Sequence, residues 1–281
     1  MNSTRALVLG GGGTVGTAWT AGLVSGLRRE GVDLAEADLI VGTSAGAIVG
    51  TMLATGQDLD LLDAPASPTD QSGPAPKADP GRLTEVFAIL RDPSLEPADA
   101  RRQVGRVALA AETITEQAHI ALMSTLITAR EWPDREVLIT AVDVETGELK
   151  VWDRAGVAPR PTAVASSCAL PGLFPPITIN GRQYMDGGIG SGTNADVATG
   201  ADVLVVVEPL AHLFPREPLE QELAATGAGT VVTINPDQAA LDAFGPNMSD
   251  WAVRKPAWQV GLRQVAATAE RVRAAWRRRA S

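Results

Sequence analysis

The sequence predicts an α/β fold carried by a single domain, residues 1–281. Two short apolar runs, Ala6-Leu7-Val8-Leu9 and Leu39-Ile40-Val41, each pass through a glycine-bearing turn into a small-residue helical stretch. Two later runs, Val203–Val207 and Thr230–Ile234, are continuous rather than alternating, as strands buried on both faces are. The composition, 45% hydrophobic and 20% charged, is that of an ordinary globular chain long enough to bury a large core. A net charge of −9 argues against general affinity for nucleic acid. Cys168 stands alone, which excludes an internal disulfide framework and fits a reducing, cytoplasmic compartment. With His119 and His212 far apart and no cysteine pair, no metal site is expected.

Taken in order, the chain first presents an uncharged run from Ala6 to Leu27 behind Arg5. Its glycines, Gly10 to Gly13, Gly16, Gly22 and Gly26, sit badly in a signal peptide or a membrane helix. The run therefore reads as a strand over Arg5–Leu9, a loop from Gly10 to Gly16, and a helix from Ala18 to Glu30 ending at Gly31. Gly11-Gly12-Gly13-Thr14-Val15-Gly16 fits the G-x-G-x-x-G dinucleotide fingerprint, but that unit wants an acidic residue at the end of the second strand. Glu30, Asp33, Glu36 and Asp38 all fall before that strand. The second meaning of such a loop is an oxyanion hole, in which glycine N–H groups free of side chains face a developing negative charge.

The strand over Leu39–Val41 ends in Gly42-Thr43-Ser44-Ala45-Gly46, a G-x-S-x-G nucleophile elbow. A serine on so tight a strand-to-helix turn is held in a strained backbone conformation at a helix N-terminus. Gly42 and Gly46 let the neighbouring backbones come close. Asp58 to Pro80, rich in Asp, Pro, Ser and Gly, reads as a mobile loop and surface insertion. Arg82–Arg91 and Ala98–Arg130 read as helices separated at Pro93 and Pro97, with His119 a structural residue on the second. Strands follow over Val137–Val142 and Leu149–Trp152 around a Glu145–Glu148 turn. A small-residue helix from Pro161 stops at Pro171, and an Asn180-Gly181 hairpin returns the chain through Gln183-Tyr184-Met185 to Asp186-Gly187-Gly188.

Four motifs now stand in order: Gly11-Gly12-Gly13-x-x-Gly16, Gly42-x-Ser44-x-Gly46, Ala165-Ser-Ser-Cys-Ala-Leu-Pro-Gly-Leu-Phe-Pro-Pro176, and Asp186-Gly187-Gly188. As an ordered set covering roughly Ala6 to Val207, they resemble the patatin-like phospholipase family. The resemblance implies a three-layer α/β/α fold with a mostly parallel central sheet. It also implies a catalytic dyad of Ser44 and Asp186, and an oxyanion hole of backbone amides at Gly11, Gly12 and Gly13. Asn194 matches a further position commonly Asn in the family. Two positions depart from the pattern. Val15 stands where the family often has Arg or Lys, so the loop lacks the cation that would support direct phosphate binding, and Asp196 stands where a proline often follows.

Independently of the resemblance, a serine hydroxyl needs an adjacent base to attack at neutral pH. His212, following the Val203–Val207 strand, gives the chain order Ser44, Asp186, His212 of an α/β-hydrolase triad, and is the enzyme rival to the dyad. A binding module for lipid or nucleotide is the non-enzymatic rival. The terminal stretch 256–279 repeats Trp258, Leu262, Val265, Ala269, Val272 and Trp276 on one helical face beside several arginines. It reads as a helix docked on the domain rather than one lying on anionic lipid. The sequence thus predicts a serine acyl hydrolase for lipid esters, at a membrane periphery, using no cofactor and no nucleic-acid partner.

Overall fold

The computed structural model describes residues 4–63 and 79–277. These residues form two compact units. The first comprises 4–63, 133–138 and 192–277, and the second 79–132 and 139–191. Most of the expected mobile loop at 58–80 lies outside the described residues, as do Arg278 and Arg279.

The first unit holds β1 (Arg5–Leu9), α1 (Gly13–Arg29), β2 (Leu39–Thr43), α2 (Ala45–Ala54), β7 (Val203–Val207), α7 (Glu217–Thr226), β8 (Thr230–Ile234), α8 (Gln238–Phe244) and α9 (Arg254–Trp276). Its strands run in the order β2-β1-β7-β8, all parallel, with Leu7 opposite Ile40 and Val205, and Val205 opposite Val232. Period-two alternation divides the apolar runs between two faces. Ala6, Val8, Leu39, Val41, Leu204 and Val206 pack with Ala195, Ala198 and Leu219 of α7. The opposite face, through Leu9 and Ile40, meets α2. This is a parallel sheet covered on both faces, as its continuous apolar strands require.

Two glycines set the helix packing. A Cβ on Gly22 of α1 would fall 2.1 Å from Trp258 O, and one on Gly261 of α9 would fall 2.2 Å from Trp19 O. The two backbones therefore touch where α1 crosses α9, and Trp19 Nε1 donates to Gln264 Oε1 nearby at 3.1 Å. Trp258, Val265, Ala269, Val272 and Trp276 are buried, so α9 docks on its own unit as its apolar stripe predicts.

The second unit holds α3 (Pro80–Leu90), α4 (Pro97–Ala110), α5 (Glu116–Leu126), the main part of β3 (Glu136–Asp143), β4 (Leu149–Trp152), α6 (Arg160–Ser167), β5 (Ile177–Ile179) and β6 (Arg182–Asp186). Here the pairing is antiparallel: β4 and β6 flank β3, and β5 pairs with β6. Asn180 and Gly181 turn the β5–β6 hairpin with φ of 50° and 76°, the positive values an Asn-Gly turn supplies. Val86, Val104, Val142, Val144 and Met185 form the core of this unit. Taken with the first unit, the chain is a mixed α/β fold with sheet strands flanked by helices, the parallel pairs lying in the first unit and the antiparallel pairs in the second.

Three expectations need correction. The first helix begins inside the glycine loop, at Gly13 rather than Ala18. The helix expected over Ala98–Arg130 is two helices, because Ala111 turns to ψ 135° and Thr115 caps a new start by accepting from Ala118 N. Two helices, α7 and α8, were not expected at all.

Candidate active site

Ser44 sits where β2 hands over to α2. Its φ of 53° and ψ of −115° lie where L-residues are rare, so the elbow is strained as its sequence predicts. The flanking glycines are obligatory. A Cβ on Gly46 would fall 1.9 Å from Leu9 O, and one on Gly42 would fall 2.6 Å from Ala47 Cα. Ser44 is the N-cap of α2, its carbonyl accepting from Ala47 N at 2.9 Å, so its side chain stands at the positive end of the helix.

The glycine loop lies beside the elbow, at the end of the neighbouring strand; a Cβ on Gly11 would sit 3.7 Å from Ser44 Cβ. The three expected oxyanion amides are not equivalent. Gly11 N–H donates to Gly192 O at 2.8 Å, an engagement that takes it out of that role in this structure. Gly12 and Gly13 are the N-cap and first residue of α1, where N–H groups have no acceptor within the helix. Their position is fixed from two sides. Pro209 packs where side chains on Gly12 and Gly16 would stand, and Met248 O lies 2.7 Å from a would-be Gly13 Cβ while accepting from Val15 N at 3.1 Å.

A polar network that sequence reading missed supports both pieces. Thr43, buried beside Ser44, donates through Oγ1 to Thr193 O at 3.3 Å and accepts from Asn194 Nδ2 at 3.0 Å. Glu222 of α7 accepts through Oε2 from Thr193 Oγ1 and from Ala195 N, each at 2.8 Å. One α7 carboxylate thus holds the 192–195 turn that binds Gly11 on one side and Thr43 on the other. Asn194 takes the left-handed conformation, φ 52° and ψ 44°, which asparagine tolerates better than most residues. Only Asn194 carried a signal in the sequence. Nearby, Glu208 follows β7; burial pushes its carboxyl up against the opposing pull of Arg216, which donates to Oε2 at 2.7 Å. Its buried Oε1 has no hydrogen-bond partner among the described residues.

Asp186 ends β6 in the second unit. It is buried, its N–H donates to Ala169 O at 3.0 Å, and its Oδ1 accepts from Gly188 N at 2.7 Å. Gly187 follows against β3, where a Cβ would fall 2.4 Å from Thr140 Oγ1. His212 lies in the first unit, exposed on the turn after β7. His119 is structural in placement: fully buried on α5, stacked on Phe174 at 4.1 Å between ring centres. Its Nε2 lies 3.0 Å from Ala165 O, and since a carbonyl only accepts, Nε2 carries the proton. Burial lowers its pKa from 6.5 to about 4.

With this geometry in place, the comparison with known proteins is direct. A family model described as patatin-like phospholipase matches residues 7–199. The chain belongs to the patatin-like phospholipase family. All four motifs of this patatin-like chain fall within the matched residues. An uncharacterised NTE family protein of Mycobacterium bovis, and a counterpart in Mycobacterium tuberculosis, are 30% identical over 184 residues. That match covers 66% of this chain and 42% of each relative, so the patatin-like chain spans about two fifths of their length. Among solved structures, VipD from Legionella pneumophila aligns over 95% of this chain and 67% of its own, with 13% identity and a TM-score of 0.47. Human GIVD cytosolic phospholipase A2, solved in complex with methyl gamma-linolenyl fluorophosphonate, aligns over 98% of this chain and 59% of its own, with 9% identity and a TM-score of 0.43. Among the described residues, no helix is long and apolar enough to cross a membrane.

Proposed function

We propose that this patatin-like chain is a serine acyl hydrolase that cleaves lipid esters through Ser44 and Asp186. The observation that carries the reading is the strained φ of Ser44 at the end of a buried parallel strand, a conformation that clusters where a side chain is held in place for chemistry. In the proposed reaction Ser44 Oγ attacks the ester carbonyl and its proton passes to Asp186. The oxyanion of the tetrahedral intermediate is held by N–H groups of Gly12 and Gly13 at the start of α1, each such donor being worth roughly 3 kcal/mol. Collapse breaks the ester C–O bond, Asp186 returns the proton to the leaving alkoxide, and an acyl-serine remains. Water then attacks the acyl-serine while Asp186 takes its proton, and the carboxylic acid leaves as Ser44 is restored.

Labelling with a fluorophosphonate probe, followed by peptide mapping, tests the scheme. One adduct on Ser44 is expected, absent in Ser44→Ala and slowed by at least about a hundredfold in Asp186→Asn. No adduct on folded wild-type protein would leave a lipid-binding module instead. His212→Ala separates dyad from triad: the dyad expects a rate close to wild type, and a loss of several orders of magnitude would assign His212 as the base.

A further inference from the structure

Eight large hydrophobic side chains are exposed among the described residues, and three of them belong to two segments beside the glycine loop: Leu213 (42% exposed), Phe214 (38%) and Trp251 (43%). The links are explicit and all lie in the first unit. The Phe214 ring is 3.9 Å from where a Gly192 Cβ would stand, and Gly192 O holds Gly11 N. On the other side of the loop, Met248 abuts Gly13 and accepts from Val15, and Trp251 follows three residues later. Scattered exposed apolar residues are ordinary, but three on the two segments that hold one loop form a set.

We infer that Leu213, Phe214 and Trp251 are the residues through which the chain enters the surface of a neutral phospholipid bilayer. The inference rests on the hydrolase reading, since it places the entry point beside the Ser44 elbow. Two observations select a neutral lipid surface as the occupant. Residues 209–215, Pro-Leu-Ala-His-Leu-Phe-Pro, carry no formal charge with His neutral, and the chain as a whole carries −9, which disfavours an anionic surface. The other amphipathic candidate, α9, has its apolar stripe buried within its own unit. Tryptophan and phenylalanine suit the boundary between headgroups and acyl chains.

The test uses the full chain as Ser44→Ala, so that lipid is not consumed, and flotation with phosphatidylcholine vesicles. Co-flotation that persists in high salt is expected, with the partition coefficient falling at least about tenfold in Leu213→Ser/Phe214→Ser and in Trp251→Ser. Val157→Ser, which removes a 67% exposed side chain from the second unit, is expected to change nothing. Melting temperatures close to the parent's show that the variants remain folded. Absence of flotation, flotation abolished by salt, or flotation indifferent to the three substitutions would each overturn the inference. So would light scattering that shows a dimer dissociated by Leu213→Ser/Phe214→Ser, which would assign the surface to a second copy. A normal fluorophosphonate adduct on Ser44 without flotation fails this inference alone, whereas flotation without an adduct fails the hydrolase reading alone.

Discussion

At φ 53° and ψ −115°, the Cβ of Ser44 is a source of strain that glycine in the same place would not have. Comparing two substitutions isolates that strain. Ser44→Ala keeps the Cβ and is expected to melt close to wild type, whereas Ser44→Gly is expected to gain about 1 kcal/mol in denaturant titration, and both lose the fluorophosphonate adduct. Equal stability of the two variants would mean the elbow is relaxed. Arg160 poses a different residue-scale problem. It is fully buried at the start of α6, and none of its guanidinium nitrogens has a hydrogen-bond partner among the described residues. Burial lowers its pKa, opposed by the charge of Glu131, but a guanidinium does not deprotonate in this range, so the charge stays in the fold without a hydrogen bond from its nitrogens to the described residues. Arg160→Met keeps the length of the side chain without the charge, and is expected to be neutral or stabilising by up to about 3 kcal/mol. A loss of that size on urea unfolding would show that the charge is compensated.

Among the elements, α1 and α9 meet backbone to backbone, so Gly22→Ala is expected to destabilise by about 3 kcal/mol with the pairing forced apart. Alanine elsewhere in a helix is favourable over glycine, which makes the sign of this change the test. The α7 helix acts on the site at a distance. Glu222→Ala releases Thr193 and Ala195 together, and the 192–195 turn then no longer fixes Gly11 and Thr43. A fall in kcat of roughly ten- to a hundredfold with KM near wild type is expected for a soluble ester, with partial recovery in Glu222→Gln. These examples also mark what the sequence could reveal. The strands of the first unit were legible because each is a compact apolar run, and the elbow and the Asn180-Gly181 turn because their chemistry is local. Gly13 as a helix start was not, since glycine is a poor helix former and only the fold of the loop places it there. The break at 111–115 was hidden in Thr113-Ile114-Thr115, whose capping role depends on which residues turn. Glu222 was invisible because its partners lie 27 and 29 residues away, with no motif joining them.

For the whole molecule, the response to pH integrates every group whose folded and unfolded pKa differ. Two buried groups pull in opposite directions. Glu208 is raised by burial, so the stability it contributes is present at low pH and is lost as pH rises through its folded pKa. His119 is lowered from 6.5 to about 4, so it is neutral in the fold at pH values where the unfolded chain binds its proton. Its contribution is therefore present above 6.5 and lost as pH falls towards about 4. That interval corresponds to about 3 kcal/mol, a large part of the stability of an ordinary globular chain. His119→Gln can present an amide N–H to Ala165 O and has no proton to gain. Urea unfolding at steps from pH 7 to pH 4 should show the wild type losing about 3 kcal/mol more than His119→Gln, with the curves parting near 6.5. Superimposable curves would mean that His119 is protonated in the fold as readily as in the unfolded chain. Its stacking on Phe174 in an apolar, fully buried site argues against that outcome, because a charged imidazole there would lose its hydration with only one carbonyl in return.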